Sequence, residues 1–226
     1  MNTVKLISHS TVDVPGFNDE NEMVNLVAFC ARVSNPSNQS NEQTAEKLLK
    51  YLIKHKHWSP LEMVNVCLEI ETTRDIGRQI LRHRSFSFQE FSQRYADPTK
   101  ELEFVTREAR LQDTKNRQNS IDMEENDPIQ DEWEHHQQEM IHHARLVYDW
   151  AIKNGVAKEQ ARAVLPEGLT MSKMYMNGTL RSWVHYIELR TDPSTQKEHR
   201  EVAQLCALEV AKVFPLIKEI LEQESH

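Results

Sequence analysis

Glycine is scarce in this chain. Gly16, Gly77, Gly155, Gly168 and Gly178 are the only ones in 226 residues. No two of them fit G-x-G-x-x-G or a P-loop. A dinucleotide bound here would therefore be held by side chains, not by backbone amides at a glycine-rich turn. Long apolar runs are missing too, and none approaches the roughly 18 residues that span a bilayer. Met1 to Ile7 has no basic region ahead of a long apolar one, so it does not read as a signal peptide. Cys30, Cys67 and Cys206 are far apart and odd in number. They fit neither a metal spacing nor a disulfide framework and suit a reducing cytoplasm. An excess of positive charge is also lacking: the net charge is −8, which argues against general nucleic-acid binding. The length suits one large domain, and no repeat or linker divides residues 1–226.

Against that acidic background stands one cationic stretch, Gln79 to Tyr95. Arg82, His83, Arg84 and Arg94 fall within thirteen residues, interleaved with Ser85, Ser87, Glu90, Ser92 and three phenylalanines. A buried core would not tolerate three arginines unless something anionic neutralised them. Arginine grips phosphate and carboxylate in bidentate fashion. Local positive charge on an acidic body favours a focused anion pocket over a polyanion track.

The remaining chain reads as a mixture of strands and helices. Thr3–Val12 is strand-like. Asn21–Val33 and Gln43–His55 carry apolar residues at helical spacing. Pro60 interrupts the second pattern, and Ser59-Pro-Leu-Glu62 resembles a capping box. Val64–Glu71 alternates, as a strand with one buried face does. Thr73–Arg82 reads as a helix whose end carries the cationic motif into a loop. Leu102–Leu111 reads as another strand, and residues 112–128 as a polar loop or insertion. A long helix is expected over Ile129–Lys153, stopped at Asn154-Gly155. Then follow a short helix over Ala157–Leu165, a strand over Thr170–Met176 and a helix over Thr179–Leu189. A final helix runs over Ser194–Glu222, kinked at Pro215. His135-His136 and His142-His143 recur at helical spacing around Glu139; they read as a polar face, and no metal site is assigned.

Arg82-His83-Arg84, with seven residues before Ser92, resembles the R-H-R-x7-S signature of the flavin-dependent thymidylate synthases. Glu90, Arg94 and Tyr95 fit the same pattern. Ala31-Arg-Val-Ser34, His57-Trp-Ser-Pro-Leu-Glu62, Ala161-Arg-Ala-Val-Leu-Pro166 and Leu180-Arg-Ser-Trp183 through Arg190 resemble further family segments. The resemblance runs from about residue 20 to 200. It implies an α+β fold, a central sheet with long flanking helices, assembling into a homotetramer with active sites at subunit junctions. It implies conversion of dUMP to dTMP, with 5,10-methylenetetrahydrofolate as carbon donor, reduced FAD as hydride donor and NADPH as reductant of the flavin. It implies no membrane and no nucleic-acid partner.

The resemblance also implies site roles. Arg82, His83 and Arg84 would lie against FAD, where guanidinium groups suit a pyrophosphate that no glycine loop cradles. Ser34, Ser59, Glu90, Thr179, Arg181 and His185 complete the expected flavin set. Gln79, Arg82, Glu90, Phe91, Ser92, Gln93, Arg94, Arg162 and Arg190 form the expected dUMP set. Arg190, Ser92 and His57 are the catalytic candidates. Arg190 matches the arginine placed against the uracil N3–O2 edge, where a fixed cation stabilises charge developing on the ring. Ser92 lacks a His-Asp partner in sequence, so its hydroxyl reads as a hydrogen-bonding group more than a nucleophile. No nucleophilic cysteine is well placed, so the flavin would carry the hard chemistry. Two departures concern flavin contact. Thr179 stands where some members have an asparagine, with Asn177 two residues earlier, and Ser194 stands where some have a histidine. Two competing readings are a non-catalytic nucleotide- or nucleic-acid-binding protein using the Arg82–Arg94 patch, and a flavoprotein that oxidises NADPH without methylating dUMP.

Overall fold

The computed structural model describes residues 2–13, 22–124 and 127–219. Its strands are β1 (Thr3–His9), β2 (Asn65–Thr73), β3 (Phe86–Glu90), β4 (Arg110–Gln112), β5 (Ser120–Asp122) and β6 (Met171–Thr179). Its helices are α1 (Glu22–Ala31), α2 (Ala45–Lys54), α3 (Arg74–Ile80), α4 (Pro98–Glu101), α5 (Pro128–Lys153), α6 (Lys158–Ala161), α7 (Leu180–Thr191) and α8 (Lys197–Val210). The main sheet has the order β1-β2-β6-β3, and each neighbouring pair is antiparallel. This is an α+β arrangement.

The alternation in β2 has the expected effect. Val66, Leu68 and Ile70 are fully buried, whereas Asn65 is exposed and Cys67 half-buried. On β6, Met174 and Met176 carry the same apolar surface. Helices α7 and α8 cover it with Trp183, Tyr186, Ile187, Val202, Cys206 and Val210. Trp183 buries its whole ring while its indole N–H donates to the Val66 carbonyl at 2.9 Å. Burial of each such side chain stabilises the fold by roughly 1.5–3 kcal/mol, provided its polar atoms find partners. A smaller core joins α5 to α6 through Tyr148, Ala151, Ala161 and Leu165.

Several elements differ from the sequence expectations. Phe86–Glu90, read as part of a loop, is β3, paired with Met174–Gly178. Its alternation of Phe86 and Phe88 with Ser87 and Gln89 is a strand signal only five residues long. At the start of the segment read as a polar loop, β4 pairs with β5 inside it, forming a two-stranded hairpin in register Arg110↔Asp122. Of Leu102–Leu111, only Arg110 and Leu111 join a strand; Phe104 makes an isolated bridge to Thr170. The expected final helix is interrupted near Pro215: α8 spans Lys197–Val210, and helical residues resume at 217–219. Pro215 disfavours helix at Phe214 and has no N–H to continue one, so the chain turns at residues 211–213. The expected start at Asn21 and the tail from 220 lie outside the described residues.

Candidate functional site

Two helices that carry site residues grow directly out of strands. β2 ends at Thr73 and α3 begins at Arg74; β6 ends at Thr179 and α7 begins at Leu180. Thr179 caps α7, its hydroxyl accepting from the Ser182 N–H at 3.2 Å. β3 lies beside β6 because Gly178 lets Phe86 approach its Cα: a Cβ there would sit 2.3 Å from the Phe86 ring. The cationic motif thus passes along β3 from His83 at one end to Glu90 at the other.

At the first end, Arg190 on α7 donates its Nε–H to His83 Nε2 at 2.9 Å. An accepting Nε2 makes His83 the neutral Nδ1–H tautomer. Burial, then the nearby Arg190 guanidinium, push the His83 pKa down to about 4. The ring stands edge-on to Tyr186 at 4.8 Å between centroids. Behind it, His199 is fully buried, and burial, Arg190 and His83 together push its pKa down to about 3. Arg190 therefore rests on a neutral partner, which orients its guanidinium without cancelling the charge.

At the second end lies a cleft of about 470 Å³ lined by Arg74, Arg78, Gln93, Glu159, Arg162, Ala163, Leu165 and Glu167. Arg74 is buried, ion-paired at 3.5 Å to both Glu90 and Glu167. Arg78 meets Glu167 at 3.1 Å, and Arg94 meets Glu159 at 3.9 Å. Arg162 donates its Nε–H to the Glu159 carbonyl at 3.3 Å. Gln93 is 3% exposed, and its Nε2 has no hydrogen-bond partner among the described residues. A buried donor without an acceptor costs about 1–3 kcal/mol. An anion in this cleft would supply the acceptor.

The other expected residues, Ser34 excepted, are distributed around the sheet and α7. Gln79 on α3 reaches back toward α8, bonding Gln196 and His199. Arg82 and Arg84 are exposed in the turn between α3 and β3. Glu90 accepts from Ser172 at 3.0 Å besides pairing with Arg74. Phe91 extends the sheet pairing through its N–H to the Lys173 carbonyl. Ser92 is half-buried, and its carbonyl starts the turn that holds Tyr95 and Ala96. His57 is placed by a Schellman turn: its N–H bonds the Leu52 carbonyl, and the Lys56 N–H bonds that of Ile53. Lys56 has φ 57°, the left-handed conformation that normally calls for glycine. Ser59 opens a 3-10 turn over Ser59–Glu62, and Glu62 pairs with Arg181 on α7. His185 stacks edge-on against Trp58 at 4.5 Å; burial and Arg181 lower its pKa. Ser34 lies apart, in a cleft of about 620 Å³ with Arg32, Asn35, Lys47 and Tyr51.

Sequence reading missed Arg74, Arg78 and His199. Arg74 and Arg78 flank Gly77 on the helix that feeds the motif, one turn apart. His199 had a visible signal. It recurs with Val202, Ala203 and Cys206 at the i, i+3, i+4, i+7 spacing of a buried stripe. His135 and His136, by contrast, sit exposed among Glu132 and Glu139 on α5. Among the described residues no group of three or more potential metal-ligating side chains clusters.

Comparison with known proteins gives the family. The model of the thymidylate synthase complementing protein family matches residues 18–216. This chain belongs to that family. Among its relatives is a protein of Paramecium bursaria Chlorella virus 1 named as a probable flavin-dependent thymidylate synthase. It is 47% identical over 220 residues, covering 97% of this chain and 99% of the relative. The flavin-dependent thymidylate synthase of a Synechocystis species is 47% identical over 198 residues, covering 87% and 88%. Among solved structures, the UMP/dUMP methylase PolB of Streptomyces cacaoi, bound with 5-Br dUMP, superposes with a TM-score of 0.79. It is 23% identical, over 99% of this chain and 95% of that one. That likeness establishes the shared fold.

Proposed function

We propose that this protein is a flavin-dependent thymidylate synthase. It converts dUMP to dTMP with 5,10-methylenetetrahydrofolate as carbon donor, FAD as hydride donor and NADPH as reductant of the flavin. The single observation that carries the reading is Arg190 seated on neutral His83, with the arginine cleft at the far end of the same strand. The cleft takes the dUMP phosphate, with Arg162, Arg78 and the orphaned Gln93 amide as donors and Arg94 at its mouth. Arg190 and Gln79 take the uracil. With no carboxylate on Arg190 among the described residues, its charge is available to stabilise negative charge as it develops on the ring. His83, neutral and accepting, holds that cation in place. Ser92 is a hydrogen-bonding hydroxyl beside the nucleotide, since no histidine bonds it among the described residues.

The donor set also fits a flavin dinucleotide. Arg82 and Arg84 are exposed cations close in sequence to His83, and Arg181, His185, Ser59 and His57 gather where α7 meets the Ser59–Glu62 turn. These guanidinium groups would hold the pyrophosphate that no glycine turn is present to bind. The Thr179 hydroxyl is already committed to capping α7, which leaves Asn177, exposed on β6, as the freer amide nearby. When bound, FAD supplies the hydride; the protein supplies position and field.

The same reading treats residues 1–226 as one domain of a cytoplasmic homotetramer. Exposed Trp133, Met140, Leu146 and Trp150 on α5, and Leu111 and Ile121 on the hairpin, support burial against other subunits. The test is tritium release from labelled dUMP by a yellow, FAD-containing preparation, dependent on methylenetetrahydrofolate and NADPH. A colourless preparation that takes up no FAD and releases no tritium would overturn it.

A further inference from the structure

Behind Gln79 runs a partly buried chain of hydrogen bonds whose direction is fixed at one end. Glu198 is ion-paired to Arg110 of β4 at 2.6 Å, so its carboxylate can only accept. Gln196 meets it at 2.9 Å and must present its N–H. The Gln196 Oε1 then faces Gln79, which must turn its own amide N–H toward it, at 2.8 Å. Gln79 Oε1 is left facing His199 Nδ1 at 3.1 Å, so that nitrogen carries the proton. His199 Nε2 is left bare and accepts from the Tyr186 hydroxyl at 3.2 Å. Amide and imidazole orientations are usually ambiguous. Here one ion-paired carboxylate resolves three of them in sequence, and the Tyr186 hydroxyl after them.

We infer that His199 is a positioning residue for substrate recognition. Its Nδ1–H pins the Gln79 amide in one orientation, with one N–H and one carbonyl lone pair left to read the nucleotide, and Glu198 with Arg110 sets the direction of the whole chain. His199 is fully exposed to no solvent, being 0% accessible, so a wrong amide flip could not be compensated by water. The chain draws on four separate stretches of sequence, and its far anchor is Arg110 on the β4–β5 hairpin. Both strands of that hairpin are largely exposed, and this contact gives it a role in the site.

The inference rests on the reading of Gln79 as a dUMP ligand, and its test separates the two. The first measurement needs no substrate. In the holoenzyme, 15N NMR of the His199 ring at neutral pH should show a protonated Nδ1 and a bare Nε2; the opposite tautomer overturns the inference, whatever dUMP does. The second is dUMP titration by calorimetry, alongside flavin absorbance and KM and kcat. His199→Leu should weaken dUMP binding and raise KM by about tenfold, with flavin content kept and kcat at saturation within about twofold. His199→Asn, whose amide N–H replaces the Nδ1–H, should restore affinity to within about threefold of wild type. Wild-type affinity in His199→Leu, or Asn as weak as Leu, would sink the idea. Should His199→Leu fail to fold, Glu198→Gln decides: its amide can donate or accept, so the direction is lost and dUMP affinity should fall by about threefold. Unchanged affinity in that variant also overturns it. A wild-type holoenzyme that binds no dUMP refutes the proposed function instead, and the tautomer measurement still stands.

Discussion

The two cationic ends of β3 solve the problem of unpaired guanidinium groups in opposite ways. In the Arg74–Arg78–Arg162 cleft, carboxylates at 3.1–3.5 Å stand in for an anion, and Glu167 serves two arginines at once. Around Arg190 no carboxylate takes part among the described residues; His83, kept neutral by burial, does the holding. A cleft with resident carboxylates can exchange them for a ligand phosphate by side-chain movement. A cation on a neutral base exchanges nothing and keeps its field for a moment when charge develops. The first arrangement suits binding; the second suits a transition state.

The comparison can be broken at several points. Arg190→Ala should lower turnover by about 100-fold or more while flavin content holds. Steady-state rates beside flavin absorbance check this, and equal loss of both would erase the distinction between the ends. Arg162→Ala should weaken dUMP binding by about tenfold with a smaller effect on turnover at saturation. An unchanged dissociation constant would remove Arg162 from the clamp.

Acid should separate the ends as well. His83 and His199 have folded-state pKa values depressed to about 4 and about 3. The unfolded chain therefore binds more protons once pH falls below about 6.5. Stability should be flat above that pH and fall by up to roughly 1.4 kcal/mol per histidine per pH unit down toward the folded values. Urea unfolding between pH 7 and 4 measures the slope. His199→Asn should roughly halve it, leaving the His83 share, whereas Arg162→Ala should leave it alone.

Smaller effects sharpen the picture. Glu167→Gln removes a competing carboxylate from half-exposed Arg78 and buried Arg74. Affinity for inorganic phosphate should rise by about two- to threefold, a surface-pair magnitude. Lys56→Gly relieves a left-handed backbone beside His57 and should raise stability by up to about 1 kcal/mol, readable by thermal unfolding.

Much of this was legible in the residues. The period in Ala45, Leu48, Leu49 and Leu52 gave a helix, and the alternation of Val64, Val66, Leu68 and Ile70 gave a strand, because each pattern has one buried face. β3 was hidden because its five residues lie inside a motif dominated by charge and hydroxyls. The β4–β5 hairpin was hidden because its strands, Arg-Leu-Gln and Ser-Ile-Asp, are three residues each, too short for their alternation to stand out. The cationic motif named its own arginines, but Arg74, Arg78 and His199 acquire meaning from partners far away in sequence. Gln79 meets Gln196 across 117 positions and His199 across 120. No local pattern encodes those distances.

The junctions at Thr73–Arg74 and Thr179–Leu180 have an evolutionary corollary. With no spacer between strand and helix, neither seam has slack to take up an added or deleted residue. One extra residue would turn α3 or α7 by about 100° and carry Gln79 or Arg190 off target. Relatives with altered nucleotide preference should therefore differ by exchanged side chains at these seams, and should vary in length elsewhere, at the β4–β5 hairpin above all.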